Sequence, residues 1–182
     1  MSQGKKIGNP AFAGILTAMT RTLLGIYLND HLTGAMAGVE LARRLARTEG
    51  EWAGGGKLER LAEEIARDRD ALVDMMAALG EPVRRLELGM GRLLEKLGRF
   101  KPNGKVVSRS PLSRVVELEG MRIGVEGKIA GWRTLRARAA VDSRLDIERL
   151  DELIASGRSQ VTRLERLRVR AAAELFGAAE NG

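Results

Sequence analysis

Apolar residues recur along this chain in alternating steps of three and four, and that period constrains the fold more than any other feature. Leu24, Leu28, His31, Ala35, Gly38, Ala42 and Leu45 form one such stripe, the spacing of a single face of an α-helix. Leu58, Leu61, Ile65, Asp68, Leu72, Met75 and Leu79 form a second, and Val83, Leu86, Met90, Leu93 and Leu97 a third. Val115, Leu118, Val125, Ile129, Trp132 and Leu135 make a fourth, and Ile147, Leu150, Ile154, Gly157, Val161, Leu164, Ala171 and Leu175 a fifth. Alternation of period two, the mark of a half-buried strand, reaches no useful length.

Glycine, proline and capping residues divide the stripes into helices over about 23–47, 57–79, 82–97, 111–139 and 144–176. Gly50 is the expected left-handed stop of the first helix, and the glycines at 54–56 make the turn that follows. Gly80 closes the second helix and Pro82 opens the third at its first position. Ser110 and Pro111 are an N-cap and a first-turn proline, and Ser143 with Asp146 reads as a capping box opening the last helix. Gly157 costs about 1 kcal/mol against Ala in a helix interior, so it marks a kink or a close contact. Residues 99–110 are a long non-helical connection, of the kind that crosses between two helical hairpins. The pattern predicts an all-α, antiparallel four-helix bundle with one additional shorter helix before the crossover.

With 182 residues, 44% apolar and only 3% aromatic, the chain suits helix-on-helix packing in one domain over 21–178, after a flexible lead-in at 1–20. It has no Cys, which excludes thiolate catalysis, cysteine zinc sites, iron–sulfur clusters and disulfides. Lys5 and Lys6 precede a weakly apolar stretch broken by Gly8, Asn9 and Pro10, which argues against a signal peptide. No run approaches the roughly 18 apolar residues of a spanning helix. A cytoplasmic protein is expected, and the preference for Arg over Lys beside abundant Ala and Gly suggests a bacterial source.

Two long hairpins joined by a crossover resemble the ferritin-like superfamily. The run Leu28-Asn29-Asp30-His31-Leu32-Thr33-Gly34-Ala35, continuing through Glu40-Leu41-Ala42-Arg43-Arg44, is similar to uncharacterised bacterial proteins of that architecture. The likeness spans 23–177 and rests on helix order and length. Di-metal members draw a Glu from each of two helices and Glu-x-x-His from each of the other two. Here His31 is the one histidine, and Leu28 stands three residues before it. The resemblance therefore implies the fold without that metal centre.

His31 and Asp68 are the polar members of two stripes, and the other candidate site residues are placed by register along the hairpins. Pairing within the first hairpin places His31 near Asp74, either as a titrating pair or as a buried imidazole satisfied by a carboxylate. Asp68, Glu126 and Gln160, with Glu119, form a candidate polar layer at mid-bundle. Such a layer either takes an oxygen-loving divalent ion, Mg²⁺, Mn²⁺ or Ca²⁺, or fixes helix register through hydrogen bonds. His31, Asp68, Asp74, Glu119 and Glu126 are thus the metal candidates, although no cofactor is required by any motif. Gly34, Ala35, Ala37, Gly38 and Ala42 make a smooth face for a neighbouring helix or a second subunit. With a net charge of +7, the basic positions Arg99, Lys101, Lys105, Arg109 and Arg114 are an anion-binding or nucleic-acid candidate, or else a solvated connection. No phosphate-cradling loop and no nucleophile–histidine set is present. The leading expectation is a non-catalytic bundle acting through a protein partner or as a homo-oligomer. Metal binding and anion or nucleic-acid binding are the alternatives.

Overall fold

The computed structural model describes residues 10–84 and 110–177. Over them the chain is a helical bundle without strands: α1 Pro10–Ala53, α2 Lys57–Leu79, α3 Pro111–Ala139 and α4 Ile147–Phe176. α1 packs against α2 and α3 against α4, and α1 also lies against α3. Leu28, Leu45, Leu58, Met76, Leu118, Ile129, Leu135, Leu150 and Leu164 are fully enclosed, each worth about 2 kcal/mol of apolar transfer. None of the four helices is long and apolar enough to cross a membrane.

The first helix exceeds its expected span of 23–47 at both ends. It begins at Pro10, so residues 10–20, read as a lead-in, are helical. At the other end Gly50 does not stop it. Glu49 and Ala53 are buried and Trp52 is packed against the core, so burial carries the helix one turn further. The chain turns instead at Gly54, Gly55 and Gly56, with φ of 72°, 60° and 64°, values that only glycine adopts without strain.

Gly80 closes α2 as expected, at φ 71°, with Gly80 N–H donating to Ala77 O and Glu81 N–H to Met76 O. Pro82 does not then start a helix, because Glu81–Arg84 are non-helical. The Asn29 side chain of α1 holds this stretch: its Nδ2 donates to Pro82 O at 3.1 Å, and its Oδ1 accepts from Arg84 N at 2.8 Å. The rest of the expected 82–97 helix and the crossover up to 109 lie outside the described residues.

Ser110 caps α3, its Oγ accepting from Leu112 N–H, with Pro111 at the first turn. The last helix starts at Ile147 rather than 144, and its cap is Asp146 itself, accepting from Arg149 N–H. Ser143 takes no part. The preceding turn is pinned by buried Asp142, which accepts from Arg144 and Arg138, while Arg144 also donates to Leu79 O at the end of α2. The Arg144 bonds hold the Asp142 carboxyl well below the usual carboxylate range.

Candidate functional site: a buried polar layer beneath an apolar cavity

Asp68 on α2 and Gln160 on α4 face one another across the bundle, 5% and 0% exposed. Gln160 Nε2 donates to Asp68 Oδ2 at 2.9 Å. The third member is Lys128 on α3, whose Nζ donates to Asp68 Oδ2 and, at 2.6 Å, to Gln160 Oε1. Ser156, one turn before Gln160, accepts a longer bond from Nε2 at 3.4 Å. Beside the layer, Arg163 forms a two-bonded pair with Glu64, which holds the Glu64 carboxyl below its ordinary value. Burial pushes the Lys128 ammonium down, against the pull of Asp68. Three helices are thus joined by a charge pair and an amide bonded to one another, as buried polar groups usually are.

The expected layer contained Asp68, Gln160, Glu126 and Glu119, and only the first two meet. Glu126 is exposed, and Glu119, also exposed, pairs with Arg168 at 3.5 Å. The phase of α3 explains the difference. Lys128 is three residues after inward Val125 and four before inward Trp132, so it shares their face. Glu126 follows Val125 directly and points about 100° away. That phase was available in the sequence; pairing by position along the hairpin overrode it. Among the described residues no three His, Asp or Glu side chains gather as a metal site would require.

Asp74 does not reach His31. It is exposed on α2, and no hydrogen bond or ion pair links the two among the described residues. His31 instead meets Tyr27 edge-on, ring centroids 4.5 Å apart, and lies over Gly131 of α3, where a β-carbon would come within 3.0 Å of the ring. Burial lowers the imidazole pKa below its ordinary 6.5, partly opposed by Asp30. His31 therefore faces α3, because α1 packs against α3 as well as against α2.

His31, Asp68 and Lys128 all line a cavity of about 620 Å³ between α1, α2 and α3. Its walls are chiefly apolar and include Leu28, Leu41, Leu72 and Trp132. Glycines stand along two of its walls. Gly34 and Gly38 line it from α1, and Gly124 and Gly127 from α3. A β-carbon at any of these four would meet nothing within 4 Å. Gly34, Ala35, Ala37 and Gly38 of the small face on α1 thus form one wall of a cavity, while Ala42 is buried in the core; the glycines of α3 went unread because a glycine leaves no mark on an apolar stripe.

At the far end, Trp52 is held between Arg114 and Arg170, whose guanidinium carbons lie 4.3 and 4.5 Å from the ring centre. Arg114 also binds Glu49 at 2.5 Å and Glu174 at 3.5 Å. Arg114 is therefore engaged between helices rather than offered to an anion, and Arg99, Lys101, Lys105 and Arg109 lie outside the described residues. The chain matches no family model, no curated protein and no solved structure with which it was compared.

Proposed function

We propose that this protein is a non-catalytic binding bundle that takes an apolar guest into the cavity between α1, α2 and α3. The observation that carries the reading is the cavity itself. Its volume of about 620 Å³ falls within the roughly 300–1,000 Å³ of small-molecule sites, which are likewise concave, mostly apolar and furnished with few polar groups.

Titration with phenylnaphthylamine, a fluorescent apolar probe, tests this. The wild type should enhance its fluorescence saturably, and replacing Gly124 and Gly127 together by Leu should abolish the enhancement by filling the space. Equal binding by the filled variant sinks the proposal.

A second reading, self-association, is favoured by the exposed apolar side chains Leu23, Ile26 and Ile123, the last 68% exposed and bordering the cavity. Light scattering of wild type and Ile123→Ser decides it; a concentration-independent monomer in both excludes it. An antiparallel arrangement, which the ferritin-like resemblance implies, is supported by the order of contacts, with Glu59 of α2 against Gly50 of α1 and Glu81, just past α2, against Gly25. Between α3 and α4, Arg136 meets Asp151, and Lys128 meets Gln160.

A further inference from the structure

We propose that Lys128 is the polar anchor of this cavity and that its guest is an apolar molecule carrying one neutral carbonyl group. The inference rests on the binding reading above and adds the chemistry of the guest. An ammonium has three N–H bonds. Two of those on Lys128 are directed to Asp68 and Gln160, and no third acceptor lies within hydrogen-bonding distance among the described residues. The side chain is 15% exposed and lines the cavity. The remaining donor is therefore available to an oxygen brought in by a guest. Lys128 follows Gly127 and precedes Gly131, both lining residues of α3, so apolar wall extends to either side of the anchor.

Charge selects a neutral group. Asp30 and Asp68 among the lining residues are balanced by Arg69 and Lys128, and burial favours the uncharged form of His31. Arg69 is additionally paired with Asp70 at 2.7 Å. A carboxylate guest would approach the Lys128 ammonium beside the Asp68 carboxylate that already binds it, and like charges so close repel. A cationic guest would face the ammonium itself. A carbonyl oxygen accepts the free N–H while leaving the Asp68 pair intact, and it brings no charge into an apolar site.

The experiment compares acetylnaphthalene with ethylnaphthalene, molecules of the same ring and chain that differ by the carbonyl oxygen, by calorimetry on the full chain. Lys128→Met should weaken acetylnaphthalene by about tenfold, the loss of one charge-assisted hydrogen bond, and leave ethylnaphthalene unchanged. Because Lys128→Met strands Asp68, the paired variant Asp68→Leu/Lys128→Met provides a second scaffold and should show the same selective loss. In the wild type, the infrared carbonyl band of bound acetylnaphthalene should shift to lower frequency, a readout that needs no variant. Binding of both probes with no selective loss, or with an unshifted carbonyl band, overturns the anchor while the binding reading stands. Failure of both probes to bind the wild type overturns both. That result is expected if a second copy of the chain fills the groove.

Discussion

Gln160 Nε2 donates to the same Asp68 oxygen, Oδ2, that receives the Lys128 ammonium, at 2.9 Å from α4. One carboxylate oxygen is therefore the junction of α2, α3 and α4. Removing one partner differs sharply from removing both. Asp68→Ala strands a buried ammonium and should cost about 3–5 kcal/mol, whereas Asp68→Leu with Lys128→Met strands only the neutral Gln160 amide and should cost about 1–3 kcal/mol. Urea unfolding of the three proteins measures this. Equal losses in the single and paired variants would show that the pair is solvated.

Gly157 and Gly124 should respond oppositely to alanine. A β-carbon on Gly157 would come within 2.6 Å of Ile129 Cγ1, while one on Gly124 meets nothing within 4 Å. Gly157→Ala should destabilise by about 1–3 kcal/mol through overpacking. Gly124→Ala should stabilise by about 1 kcal/mol through helix propensity. Denaturation midpoints at equal slope report both, and a gain at Gly157 would mean that α3 and α4 separate freely.

Trp132 is 2% exposed, and its indole N–H has no acceptor among the described residues. Its contribution is then the ring and not the donor. Trp132→Phe should cost less than about 1 kcal/mol, because it also removes an unsatisfied donor worth roughly 1–3 kcal/mol. Trp132→Ala should cost about 3–5 kcal/mol. Thermal or urea unfolding separates the two, and comparable losses would reveal an acceptor for the N–H.

His31 makes stability fall as the solution is acidified. Its folded pKa is depressed below 6.5 by burial, so between the two values the unfolded chain binds the extra proton. Stability is complete above pH 6.5 and declines as pH drops through the folded pKa. His31→Gln should flatten that part of the profile, leaving the carboxylate-driven loss at lower pH, to which Glu64 contributes. Urea midpoints taken from neutral pH downward provide the check; an unchanged slope in His31→Gln removes the imidazole from the account.

The Asn29 grip on Pro82 and Arg84 should appear in amide exchange. Asn29→Ala deletes the acceptor for Arg84 N–H, and that amide should exchange about ten times faster, the equivalent of roughly 1.4 kcal/mol of lost protection. Unaltered exchange at Arg84 would show that another contact holds the segment.

The helical stripes were legible because burial on one face of an α-helix writes a period of 3.6 into the chain. They yielded α2 and α3 at their observed limits, and the caps at Gly80 and Ser110. Asp68 stood out as a polar residue on an apolar stripe, and Gln160 through its expected height in the bundle. Gly50 misled because local propensity for a stop was weaker than the burial of Glu49 and Ala53 beyond it. Asn29 gave no signal, since its partners are backbone atoms 53 and 55 residues away.

By itself, the sequence determined that this chain is helical and which face of most helices turns inward, because those properties depend on neighbours three and four residues apart. Which helix each inward group meets was decided only by the tertiary structure. His31 answers to Gly131 rather than Asp74, Asp68 to Lys128 rather than Glu126, and the glycines of α1 and α3 line one cavity only when brought side by side. Those partnerships depend on how far one helix slides and turns against another, and a shift of one residue, about 100° around the axis, exchanges one partner for the next.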